Sequence, residues 1–541
     1  MIKLFSLIFP FVLISSTVSR IVLLHNNKWN PHYGNPGVKL RLTQRGAEHL
    51  KNVGVKLLNE RIAQLQGFHV QHSFSQPGIE GYIHVNDIKT LSFQPPSASF
   101  IKFSAPSFIT FAIENTAISL AGRFLGVAGA GVFQVPGQVS GHMSGMSVSL
   151  TTSFRATQDG LMAVNVVNCS TVIQQSNFVL QPEGPLSTIV KTFEAQINDV
   201  IRQRIPSIFC KGLQDIIEKN SPNLFRRLAT AQLQDHFQGF NSSEVIESFI
   251  RRFTHGLYID GSNIADPIVT NDFFETQQKG ELRYNNSQAS APFYPRPIPQ
   301  DNDSDRMLYL YGSDYTLNSL LYHAYQTDKL TIKIEEATLS EQFKGFVKTT
   351  GDGKGKEGDF ASSICVGTLI PKISEAYPNT TTKFVLLPHG LPEMTFVDGV
   401  SSMDLRTRIL TYVDDHGVDR QILVSSADGL ADIKMMAEDG RFSGDLKLRK
   451  LNVRLHRSGI AGVEPDSIAQ LAPLAKTFLG PQLSKGLKQG LPYPLKGSIT
   501  FIDPKLSLHD GYVRLATDFE LGEESLRSKV YEAFERIKNS I

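Results

Sequence analysis

The chain has three cysteines and one tryptophan in 541 residues. Three cysteines cannot build a disulfide scaffold, so apolar burial must carry stability. In an oxidising compartment Cys169 and Cys210 can form one bridge with Cys365 left over; three buried thiols is the other reading. Charge of one sign is also scarce, with a formal net charge of +2. From Arg20 to Phe240 there are 19 Lys and Arg against 12 Asp and Glu. That excess suits anionic lipid surfaces. No Lys/Arg cluster with interleaved aromatics supports nucleic-acid binding.

Catalytic signatures are missing too. There is no HExxH, no G-x-S-x-G elbow and no Walker motif, and the histidines lack metal-ligand spacing. Gly351 to Asp359 is glycine-rich without P-loop spacing and reads as a loop. Asp301 to Asp305 imitates the start of an EF-hand, but Arg306 takes its glycine position and Gly312 the position of its bidentate Glu. It reads as a solvated linker. The expectation is no enzyme, no metal and no cofactor beyond a bound lipid.

Beyond the N-terminus no run is apolar enough to cross a bilayer, which needs roughly 20 residues. Residues 1–19 run from Lys3 through an apolar stretch, Leu4 to Ile14, to small residues before Arg20. This is the order of a secretory signal peptide, with cleavage expected near Ser19. The remainder is then soluble and extracellular. Asn241, Asn285, Asn302 and Asn379 head sequons that can accept glycan.

Periodicity gives the elements. Val38 to Leu42 alternates as a strand, followed by a helix with Leu50, Val53 and Leu57 on its apolar stripe and Thr43 as N-cap. Met146 to Phe154 alternates clearly. A second helix from about Leu186 carries Ile197, Val200 and Ile201. Four prolines between Asn285 and Asp305 mark an extended linker. The plan then repeats: a helix with Leu317 and Leu321, strands including Gly444 to Leu455 with a bulge near Arg449-Lys450, and a helix with Leu471 and Leu474. Glu523 to Ile541 is an amphipathic tail, which either docks on its own barrel or gates a lipid pocket.

Several segments carry a family likeness in order. Asn35 to Leu50 (NPGVKLRLTQRGAEHL), Gly141 to Leu150, Met307 to Tyr325 and Gly486 to Leu521 resemble the family of bactericidal/permeability-increasing and lipopolysaccharide-binding proteins, which also holds the phospholipid and cholesteryl ester transfer proteins. The resemblance spans nearly the whole chain after the signal. It implies an α+β, elongated two-barrel molecule, each barrel a twisted antiparallel sheet around a long helix, joined by a central sheet. The divisions expected are a lipid-binding barrel at 20–240, central-sheet strands and linker at 241–306, a second barrel at 307–521 and a tail at 522–541. It also places the family's single disulfide at Cys169 and Cys210.

The implied partners are phospholipid or another amphipathic lipid in apolar barrel pockets, a membrane or lipoprotein surface, and bacterial lipopolysaccharide. Leu50, Val53, Leu57, Ile197, Val200, Ile201, Leu317, Leu321, Leu471 and Leu474 are the candidate pocket residues, ordinary core packing being the alternative for each. One departure bears on the partner. The stretch matching the cationic barrel tip, Gly122 to Gly141, has Arg123 and no lysine. Phe124, Leu125, Val127, Val132 and Phe133 make it apolar, which suits shallow insertion into lipid better than charge-assisted capture of lipid A. A hairpin folded back on its barrel is the bland alternative, and a secreted structural protein with solid barrels is the rival class.

Overall fold

The computed structural model describes residues 34–76, 79–128, 131–185, 244–287, 289–351, 365–438, 440–492 and 499–522, with scattered positions at 194–233 and 524–528. Ile197, Val200, Ile201 and Asn241 lie outside the described residues, as do Leu526, Val530, Phe534 and Ile537 of the tail.

The chain opens with β1 (Val38–Thr43) and α1 (Gln44–Ala63). Thr43 caps the helix, its Oγ1 accepting from the Gly46 N–H, and so relieves one unpaired helical donor. Seven strands follow: β2 (Phe68–Gln76), β3 (Ile79–Gln94), β4 (Ala98–Ser104), β5 (Phe108–Ala128), β6 (Phe133–Ala156), β7 (Met162–Val172) and β8 (Gln175–Pro182). They form one antiparallel sheet ordered β2-β3-β5-β6-β7, with β4 on β5 and β8 on β6. The alternation at Met146–Phe154 has the expected effect. Met146, Val148, Leu150, Thr152 and Phe154 are buried while Ser147, Ser149, Thr151 and Ser153 are half-exposed.

A small sheet, ordered β13-β10-β9, comes next. It comprises β9 (Thr230–Gln232), β10 (Leu257–Asp260) and β13 (Glu281–Tyr284), with α2 (Val245–Thr254) before β10. The central sheet, ordered β11-β12-β1-β14-β23-β22, gathers β1, β11 (Ile268–Val269), β12 (Phe273–Gln278), β14 (Leu308–Ser313), β22 (Ile499–His509) and β23 (Tyr512–Leu521). It therefore joins the beginning, middle and end of the described chain.

α3 (Asp314–Gln326) follows β14 directly. The third large sheet holds β15 (Ile332–Ile334), β16 (Thr382–Pro388), β17 (Glu393–Val397), β18 (Val400–Asp415), β19 (Val418–Glu438), β20 (Arg441–Ser458) and β21 (Leu491–Pro492), with α4 (Leu471–Gln489) against β20. Leu430 pairs with Lys450 and Ala431 with Leu448, so Arg449 is the extra residue of the expected bulge. The result is an α+β fold of two helix-backed antiparallel barrels joined by a central sheet.

The linker differs from a solvated connection. It has no regular structure, yet its acidic end is held. Asp301 pairs with Arg41, which is 1% exposed, and Asp303 pairs with Arg514. Lys39 donates to the Ile298 carbonyl at 3.3 Å. Lys39 and Arg41 alternate with the apolar residues of β1, and the linker covers their side of the strand and buries both. Arg41 also lies 4.0 Å from the Phe273 ring centroid, and its Nη2 is 2.7 Å from Glu275 Oε2.

Candidate functional site

The largest apolar cluster lies where α1 meets the N-terminal sheet. Ala47, Leu50, Leu57, Leu58 and Ile62 of α1 pack toward Phe103 of β4, Phe111 of β5 and Leu150 of β6. The cluster continues into the central sheet through Leu42, Phe274, Leu308 and Phe519. At the seam between barrel and central sheet its edge is only half-buried, at Leu40, Val53, Met307, Ile499, Phe501 and Leu521. An apolar interior with a half-open apolar edge is the arrangement that admits an acyl chain, since most of a ligand's contact there is non-polar.

A buried polar atom lies beside Phe519 of this cluster. His49, on α1, sets its ring 5.5 Å edge-on from Phe519. Its Nε2 is buried and has no hydrogen-bond partner among the described residues. A buried, unmatched ring nitrogen costs about 1–3 kcal/mol, so it is suited to meeting a polar group that enters the seam. The scattered histidines gave no metal spacing, and nothing in the sequence singled this one out except its position beside Leu50.

The candidate pocket residues divide. Leu50 and Leu57 are buried in the large cluster and Val53 sits on its edge. Leu317 packs instead with Leu257, Leu282, Tyr284 and Leu320 over the small sheet, because α3 lies on β13. Leu321 is half-buried on the same helix. Leu471 packs at the edge of another cluster, which includes Ile370, Phe384 and Val413. Leu317 and Leu471 therefore do not share one pocket wall, and the Leu474 side chain lies outside the described residues.

The tip is the β5–β6 hairpin, in which Ala128 pairs with Phe133 and Phe124 with Gly137. Val132 is 77% exposed and Phe133 55%, Leu125 is half-buried, and Phe124 and Val127 are buried. Phe124 folds inward over Gly137, where an added Cβ would come within 2.7 Å of its ring. The apolar tip thus reduces to Val132 and Phe133.

Cys169 of β7 is bonded to Cys210, with Cα atoms 5.6 Å apart, and Cys365 is a buried free thiol. Asn285, Asn302 and Asn379 are exposed. Arg527, at the start of the tail, reaches Glu60 of α1 at 3.1 Å. Among the described residues no group of three or more His, Cys, Asp or Glu is placed to hold a metal ion, and no helix is long and apolar enough to cross a membrane.

A second buried polar group fastens the other end of the linker. Glu281 is fully buried; its Oε1 accepts from the Ala291 N–H at 2.7 Å and lies 2.8 Å from His323 Nε2. The Lys279 ammonium is 2.6 Å from Oε2. Burial opposes ionisation of this carboxyl, but His323, Lys279 and Ala291 together outweigh it and hold its pKa down at about 2, against an ordinary 4.5. The carboxylate therefore ionises more readily in the folded chain. Its contribution, about 3 kcal/mol, is complete above the ordinary value and is lost as pH falls toward 2. Denaturant titrations at pH 6, 4 and 3 should show this loss, and Glu281→Gln should be less stable at pH 6 with a flatter acid limb.

This architecture is that of a two-barrel protein, each barrel an antiparallel sheet with a helix against it. Residues 252–521 match the description "LBP / BPI / CETP family, C-terminal domain". The chain is 18% identical over 498 residues to a bactericidal permeability-increasing protein of Sebastes schlegelii, covering 90% of this chain and 95% of that one. It is 20% identical over 502 residues to the lipopolysaccharide-binding protein of Bos taurus, covering 90% and 93%. A crystal structure of lipopolysaccharide binding protein matches with a TM-score of 0.47 and 18% identity over 90% of this chain and 99% of that one. The chain belongs to the LBP/BPI/CETP family. Members of this family bind or transfer lipid, and the chain is not an enzyme.

Proposed function

We propose that the chain is an exported carrier that takes phospholipid-like acyl chains into the seam between α1, the N-terminal sheet and the central sheet. The half-buried apolar edge at Val53, Met307, Phe501 and Leu521 carries this reading. Each CH₂ buried there contributes about 0.8 kcal/mol. His49 Nε2, buried beside Phe519, is available to an ester or head-group oxygen. Val132 and Phe133 serve as the contact with a bilayer or lipoprotein surface. Lipopolysaccharide is the less favoured cargo, because the tip offers Arg123 and no lysine for its phosphates.

The test is transfer of fluorescent phosphatidylcholine from vesicles to the protein. The wild-type chain should load. Val132→Ser with Phe133→Ser should slow transfer about tenfold, from the apolar area withdrawn from the bilayer, with thermal stability unchanged. Loading at the wild-type rate would remove the tip from the account, and absence of loading by the wild type would remove the carrier.

A further inference from the structure

The C-terminal barrel carries a feature that acyl burial does not use. Between Arg441 and Lys488 there are nine Lys and Arg against three Asp and Glu. Part of this charge converges on an open groove of about 490 Å³ between β20 and α4. Lys476, Gly480, Ser484 and Lys488 recur every four residues, so one face of α4 supplies much of its wall. Lys485 adds to that wall, and Lys447 faces it from β20.

The charges are not equivalent. Asp445 accepts from the Ser484 hydroxyl and pairs with Lys488 at 3.3 Å. Lys476 donates to the Arg449 carbonyl at 3.2 Å. Lys447 and Lys485 have no acidic partner among the described residues. Just outside, Arg449 and Arg454 are committed to Asp432 and Asp428. Lys450 and Arg457 of β20 also have no acidic partner among the described residues, but they lie outside the groove, where no apolar lining accompanies them. Its apolar lining, Leu446 and Leu448, belongs to a cluster with Ile433, Met403 and Met435.

We propose that this groove binds the phosphate of an anionic amphiphile, with Lys447 and Lys485 holding the phosphate and the first part of the chain lying over Leu448 and Pro481. A volume of this size suits a head group, and charge beside apolar surface suits a molecule with both. A sulfated glycan would draw on the flanking cations and make no use of the apolar lining, Leu446 and Leu448. The site is separate from the N-terminal seam and stands or falls apart from it.

The experiment is calorimetric titration of the full chain with dihexanoyl phosphatidic acid, against sodium phosphate, dihexanoyl phosphatidylcholine and a heparin octasaccharide. Phosphatidic acid should bind, more weakly as salt rises. Lys447→Gln and Lys485→Gln should each weaken it about fivefold, and the pair about twentyfold. Gly480→Leu keeps every charge and fills the groove; its Cβ would meet Leu448 at 3.9 Å without a clash. It should abolish binding with the melting temperature retained, while phosphatidylcholine loading of the N-terminal seam persists in all variants. Unchanged affinity in the lysine pair overturns the proposal. So does equal binding of inorganic phosphate, which makes the site one for free phosphate, or stoichiometric competition by the heparin fragment, which makes it a glycan site.

Discussion

Arg41→Ala is expected to cost about 3–5 kcal/mol, because it strands Glu275 at 0% exposure with only Lys39 nearby, 3.5 Å away. Burial works against the charge of Arg41, and Glu275, Tyr311 and Asp301 outweigh it, so the guanidinium is held charged more firmly than in water. It also connects three parts of the chain: β1 carries Arg41, β12 carries Glu275 and the linker carries Asp301. Loss should appear as a lower urea midpoint and as faster proteolysis near residues 296–306, since the linker loses its grip on the sheet. Breaking one partner of a buried pair is far worse than replacing both with apolar residues. Arg41→Met with Glu275→Met should therefore recover most of the midpoint while the linker stays cleavable. If Arg41→Ala shifted the midpoint by less than about 1 kcal/mol, the clasp would be incidental to stability.

Replacing Cys169 and Cys210 with serine is expected to cost about 4 kcal/mol, the chain-entropy value for a bridge spanning 41 residues. The bond joins β7 to a segment beyond β8, so without it the unfolded chain regains the freedom of a long loop. Cys365 is remote from this effect and buried, so Cys365→Ser should change stability by no more than a modest core substitution. Parallel urea titrations of the two serine variants separate the contributions. Equal midpoints for wild type and the Cys169/Cys210 variant would mean that the segment around residue 210 is held by packing alone.

Local pattern made much of this fold readable. The alternation of Met146–Phe154, the Thr43 cap and the extra residue at Arg449 are properties of a few neighbouring residues, and each emerged as the pattern implied. What depended on distant chain was not readable. Lys39 and Arg41 alternate with apolar neighbours as a wet face would, yet a linker some 260 residues later covers them. Phe124 looked like its neighbours at the tip until Gly137, on the opposing strand, made room for its ring. Leu317 lies on its expected helix, but the face it meets is built by Leu257 and Leu282 from a distant part of the chain. The lysines of the C-terminal groove are spread over 42 positions and become a group only when α4 lies against β20.

Lipid in the N-terminal seam is the central claim, and native mass spectrometry of the intact purified chain tests it most directly. The wild-type protein should carry phospholipid-sized adducts that collisional activation releases, and Val53→Trp, which fills the half-open edge, should lose them while remaining folded. A wild-type chain that flies at its bare mass, and stays bare after incubation with phosphatidylcholine vesicles, would mean that the cluster around Leu50 and Leu57 is a closed core and the carrier reading is wrong.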